Sequence, residues 1–122
     1  VRGLGELESA VMDRLWSWGR PATVREVVDD LQTERPLAYT TVQTVLENLF
    51  RKGWVSREPA GRAHQYTPTI SREAAVARLM REALQDSDDH LSVFAHLLAQ
   101  MDADEAGALR AALRRHSRRR SS

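Results

Sequence analysis

Residues 40–52 carry hydrogen-bonding side chains at a spacing that suits one chemistry. If the stretch is a helix whose apolar positions Val42, Val45, Leu46, Leu49 and Phe50 face inward, then Thr40, Thr44, Glu47, Asn48 and Arg51 share the opposite side. Thr41, Gln43 and Lys52 lie on the flanks. Hydroxyls and methyls of Thr suit phosphate oxygens and thymine methyl groups, Asn and Gln pair bidentately with adenine, and Arg51 and Lys52 can hold phosphate. Three β-branched threonines within five positions are a poor choice for a helix face that needs only solvation. Reading of duplex DNA is the chemistry expected here, against the plainer alternative of a solvated helix in a protein-interaction module. Glu47 opposes it, because a carboxylate facing phosphates is repelled unless it accepts from a cytosine amino group or pairs with Arg51 four residues on. The Arg51 pair is expected.

Other chemistry finds little support. There is no cysteine, hence no disulfide, thiolate metal site or cysteine nucleophile. His90 and His96 with Asp86 and Asp89 are metal-ligand types, but two histidines six residues apart on a helix do not share a face, so no metal is expected. No nucleophile, base and orienting group come together, and the chain is not expected to be an enzyme or to carry a cofactor.

The 122 residues make one ordinary domain or two small ones, with 42% hydrophobic and 29% charged residues, a globular balance. No apolar run approaches a membrane span, and Val1 to Ser9 lack the basic and apolar blocks of a secretory start, so a cytoplasmic protein is expected. Net charge is only +1, and one Lys stands among 18 basic residues. Arginine suits forked contacts to phosphate and guanine, so the distribution of charge matters more than its sum.

Three helices and a hairpin should position the Thr-rich face. Leu4, Leu7, Val11, Leu15 and Trp18 form a stripe stopped by Gly19 and Pro21. Thr23 and Glu26 have the form of a capping box ahead of Val24, Val27, Val28 and Leu31. The third helix runs from about Ala38 to Lys52 and ends at Gly53. Two strands, Trp54–Glu58 and His64–Thr67, are joined by Pro59–Ala63, a hairpin with a basic tip at Arg62. This order is the winged helix-turn-helix layout, in which the third helix enters the major groove and the hairpin lies along the backbone. Arg57, Arg62 and His64 are then phosphate contacts, or else a solvated turn.

The best seam is Thr67–Ser71, dividing a winged-helix domain, 1–70, from a helical dimerisation domain, 71–122. Basic and acidic residues number nine and nine before it, nine and eight after. The second part should form three mostly amphipathic helices. Ser71 caps the first, with Val76, Leu79, Met80 and Leu84; Ser87 or Asp88 opens the next, with Leu91, Phe94, Leu97, Leu98 and Met101; an Asp102–Glu105 capping box opens the last, with Leu109 and Leu113. About 50 residues bury little core alone, and the middle helix is apolar over too broad an arc for one neighbour. A second copy is the natural remedy, and its two-fold axis would set two reading heads on a palindromic site. The Arg118–Arg120 run reads as a frayed, solvated end with at most weak attraction to DNA or a membrane surface.

Leu7-Glu8, Val11-Met12, Leu15-Trp16, Thr23-Val24, Ala38-Tyr39-Thr40-Thr41-Val42-Gln43-Thr44-Val45-Leu46, Arg51-Lys52-Gly53 and Arg62-Ala63-His64-Gln65-Tyr66-Thr67-Pro68 together closely resemble the BlaI/MecI/CopY family of bacterial penicillinase repressors. The likeness extends to Asp104-Glu105 and Leu109-Arg110 in the last helix. It implies a cytoplasmic homodimer on palindromic operators of β-lactam resistance or related genes, with Tyr39 joining the DNA-binding face. In the penicillinase branch of the family, repression ends when the dimerisation domain is cut, an event linked to a membrane sensor-transducer with a metalloprotease domain. The matching bond here is Val93–Phe94. The cysteine-based metal sensing of the CopY branch is not expected without cysteine. The alternatives are a repressor that senses a small molecule directly and a winged-helix module whose third helix meets a protein.

Overall fold

The computed structural model describes residues 4–121; Val1–Gly3, part of the stretch read above for a secretory start, and Ser122 lie outside them. Among the described residues the order is α1 (Glu6–Trp18), β1 (Ala22–Thr23), α2 (Val24–Leu31), α3 (Tyr39–Arg51), β2 (Val55–Ala60), β3 (Ala63–Pro68), α4 (Arg72–Leu84), α5 (His90–Gln100) and α6 (Ala103–Ser121). The chain forms two compact units, Val1–Met80 and Arg81–Ser122.

In the first unit the three helices share one core: Val11, Met12 and Leu15 of α1, Val27, Val28 and Leu31 of α2, and Val42, Leu46 and Leu49 of α3, closed by Val55 and Tyr66; Met12 joins the expected stripe of α1, whose Leu4, Leu7 and Trp18 are only partly buried. Local chemistry sets the helix ends. Gly19 closes α1 with φ 63°, a left-handed conformation that suits glycine, and its N–H donates to the Leu15 carbonyl at 3.2 Å. The capping box at α2 is formed: Thr23 Oγ1 accepts from the Glu26 N–H at 3.2 Å, and Glu26 Oε1 accepts from the Thr23 N–H at 3.1 Å.

The hairpin is tighter than expected. The strands extend to Ala60 and Ala63, leaving a two-residue turn of Gly61 and Arg62 in place of a five-residue loop. Gly61, with φ 65°, supplies the positive angle such a turn needs at its first central position. Pro59 had argued for a loop, but the sheet order β1-β3-β2 makes β2 an edge strand, where a missing N–H is tolerated. Strand β1 is an addition to the expected layout. It pairs antiparallel with β3, Ala22 opposite Tyr66 and Thr23 opposite Gln65, and two residues are too few to show a period.

Contacts of α4 with the winged helix continue past the compositional seam. Ser71 caps α4 as expected, its Oγ accepting from the Ala74 N–H at 3.0 Å. Trp16 Nε1 donates to the Ile70 carbonyl at 2.8 Å, Arg72 and Arg78 lie over the rings of Trp16 and Trp54, and Ala75 is buried.

In the second unit, α5 is capped by Asp89, which accepts from the Ser92 N–H at 3.1 Å, and not by Ser87 or Asp88. Ser87 serves the cap instead, accepting from the Asp89 N–H at 3.2 Å. Asp102 and Glu105 form the expected box for α6. Arg118–Arg120 are not a frayed end but the last turn of a 19-residue helix, where cations complement the macrodipole.

The cap of α2 yields a stability prediction. Glu26 is held below the ordinary carboxylate value of 4.5, first by the Thr23 N–H and then by Arg20. Because the folded value is the lower one, the contribution to stability is present above about pH 4.5 and is lost as pH falls through the lowered value. Thr23→Ala should cost about 1 kcal/mol at neutral pH in urea denaturation. Glu26→Gln should remove part of the acid-side loss; an unchanged pH profile would contradict this account.

Candidate nucleic-acid interface

Helix α3 buries Val42, Leu46 and Leu49 and turns the other side outward. Tyr39, Thr40, Thr41, Gln43, Thr44 and Arg51 are exposed, with Lys52 just beyond the end, and Glu47 and Asn48 are half-buried. The α2–α3 turn is fixed by Gln32, whose Nε2 donates to the Leu37 carbonyl at 2.7 Å. Arg25 of α2 lies 4.9 Å over the Tyr39 ring, packing the start of α3 on its neighbour.

The position of Glu47 corrects an expectation. Its partner is Arg57 of β2, Nη1 to Oε1 at 2.8 Å, and not Arg51. The Arg57 guanidinium also lies 4.2 Å over the Phe50 ring, so the wing is joined to α3 by an ion pair and a cation–π contact. A spacing rule within one helix could not find this, because the better-placed cation comes from the strand after the next turn. Lys52 is likewise held by Glu8 of α1, with Nζ 2.9 Å from Oε1. Burial alone would raise the Glu8 pKa, but the Gly5 N–H and then Lys52 more than offset it, and the value is lowered. Arg62 stands exposed at the turn, and His64, also exposed, meets Tyr66 edge to face with centroids 6.5 Å apart.

Charge on this unit is therefore largely satisfied internally. Arg14 pairs with Asp30 and Glu34, Arg20 with Glu26, Arg25 with Asp29, Arg35 with Glu6, Lys52 with Glu8 and Arg57 with Glu47. Among the described residues before Ser71, Arg51 and Arg62 are the cations outside these pairs.

In the second unit no described side chain is fully buried. On α5 Leu91 is 81% exposed, Phe94 48% and Leu98 47%, and on α6 Leu113 is 58% exposed. Leu84, Val93, Leu97, Met101 and Leu109 are half-buried. On α4, within the first unit, Val76 and Met80 are exposed and Leu79 is half-buried. Among the described residues no group of three ligand-type side chains gathers as a metal site, and no helix is long and apolar enough to cross a membrane.

Comparison with known proteins addresses both units. The penicillinase repressor family model matches residues 4–115. The transcriptional regulator BlaI of Mycobacterium tuberculosis is 48% identical over 113 residues, covering 90% of this chain and 82% of that protein. The solution structure of the Bacillus licheniformis BlaI monomeric form in complex with the blaP half-operator aligns at TM-score 0.50 and 27% identity, covering 61% of this chain and 89% of that one. MepR, a transcription regulator of the Staphylococcus aureus multidrug efflux pump MepA, shares the fold at TM-score 0.51 and 16% identity, covering 93% of this chain and 78% of that one. With a family match that spans both compact units, and a relative nearly half identical over nine-tenths of this chain, this chain belongs to the penicillinase repressor family.

Proposed function

We propose that this chain is a homodimeric transcriptional repressor that holds palindromic operator DNA. Helix α3 reads bases through Gln43, Thr44 and Asn48, with Tyr39, Thr40, Thr41 and Arg51 at its margins, while Arg62 and His64 on the wing meet the backbone. Residues 1–70 form the reading head and residues 71–122 join two copies, α4 being shared between the tasks. The observation that carries this reading is the two-faced α3, apolar inward and hydroxyl- and amide-rich outward, beside a wing. A relative solved in complex with a half-operator supports DNA as the partner. Lys52 and Arg57 reach phosphate only by sharing or breaking their pairs with Glu8 and Glu47, which makes them secondary contacts.

The regulated genes are those of β-lactam resistance or a related response, and the protein works in the cytoplasm. Derepression follows a cut at Val93–Phe94 by the metalloprotease domain of a membrane sensor-transducer. That bond lies within α5, so cutting it splits the apolar stripe and weakens the dimer that two half-sites require. DNA release by the activated protease with the chain left intact would refute this step.

The test of the main reading is selection of bound duplexes from a random pool, followed by titration of the winner at two salt concentrations. A palindrome with a steep salt slope is expected. No enrichment by folded, dimeric protein would overturn the reading in favour of a protein-interaction module.

A further inference from the structure

We propose that the arginine face of α6 is a second DNA-binding surface, one that grips duplex phosphates without reading sequence. The inference rests on the repressor reading above. From Arg110 onward the chain holds six arginines and no acidic residue. Arg110, Arg114 and Arg118 follow one another at four-residue steps, with Arg115 and Arg119 beside them; Arg114, Arg115 and Arg118 lie on the side of the helix away from Leu109 and Leu113, and Arg110 and Arg119 on its flanks.

Helix stability does not account for this arrangement. The macrodipole favours Arg118, Arg119 and Arg120 in the last turn, but Arg110, Arg114 and Arg115 lie before it, where like charges four apart cost stability. Those three are exposed and in no ion pair among the described residues. Before Ser71, by contrast, Arg51 and Arg62 are the described cations outside ion pairs. Affinity for DNA through counterion release scales with the phosphates that unpaired cations neutralise. Two such cations on the described part of the reading head select a sequence but hold it weakly, and among the described residues Arg110, Arg114 and Arg115 of α6 form a larger unpaired set. A membrane surface fits less well, because the apolar side of this part of α6 offers two leucines and no aromatic residue to insert.

The test is a triple variant, Arg110→Gln, Arg114→Gln and Arg115→Gln, in the full chain, beside Arg110→Lys, Arg114→Lys and Arg115→Lys. In the glutamine variant, affinity for the selected operator and for random duplex should fall together at low ionic strength, by roughly tenfold or more. The salt slope should flatten by about 0.9 for each arginine that meets a phosphate. The preference for operator over random DNA, the helical circular dichroism and the dimer mass should stay as in the parent. The lysine variant should retain the parental affinity and slope.

Equal affinity and slope in parent and glutamine variant would overturn the inference, as would an equal loss in the lysine variant. So would a glutamine variant that binds DNA like the parent but loses binding to phosphatidylglycerol vesicles. If the parent itself enriches no duplex, the repressor reading has failed; if the parent selects a palindrome and the variant matches it, only the α6 surface has failed.

Discussion

Phe94→Asp, alone or with Leu98→Asp, should convert the dimer to monomers at micromolar concentration and abolish tight operator binding. Leu91, Phe94 and Leu98 lie at three- and four-residue steps along α5, and each keeps about half or more of its surface exposed in the single chain. No described side chain in the second unit is fully buried, so covering this stripe supplies the stabilisation the unit lacks as a separate body. A carboxylate placed there must lose water on both copies, at a penalty of several kcal/mol per ion. Even a net 2.7 kcal/mol would weaken association about a hundredfold. Half-sites would then be bound independently, and the affinity gained by linking two heads would be lost. Sedimentation equilibrium of parent and variant decides the matter: a parent that is monomeric at micromolar concentration, or a variant that stays dimeric, would refute the proposed interface. Circular dichroism of the variant separates dissociation from unfolding.

The elements that were legible in the sequence are those held by local chemistry. The stripes of α1, α2 and α3 recur at helical steps, and the Thr23–Glu26 and Asp102–Glu105 boxes are pairs three residues apart, so each can be read within one or two turns. What escaped depends on partners distant along the chain. β1 is a strand only because Tyr66 and Gln65 lie opposite it. Glu47 and Lys52 find Arg57 and Glu8 through the sheet and through α1, contacts that no periodicity marks. The outward side of α3 follows from the apolar period of Val42, Leu46 and Leu49, but how much of its charge is left to meet phosphate depends on the ion pairs. The same pairs separate the two-cation head from the arginine face of α6, a contrast hidden by near-neutral totals in both halves.

Substitutions on α3 should split into two kinds. Thr44→Ala and Asn48→Ala remove groups proposed to meet base edges, so each should lower the preference for operator over random duplex by about 1 to 3 kcal/mol, or roughly 5- to 150-fold, with little change in binding to random DNA. Glu47→Gln should act in the opposite sense on non-specific binding. The carboxylate holds Arg57 at 2.8 Å, and its own charge opposes nearby phosphates. Replacing it frees one cation and removes one repulsion, so random duplex should bind more tightly, the salt slope should steepen by about 0.9 per chain, and discrimination should fall. If Glu47 instead accepts from a cytosine amino group, Glu47→Gln will weaken the operator complex and leave random DNA unchanged. If Thr44→Ala and Asn48→Ala both keep the parental preference, α3 does not read the bases. Titrating the three variants on selected and random duplexes at two salt concentrations distinguishes these cases, because base contacts move the ratio of affinities and phosphate contacts move the slope.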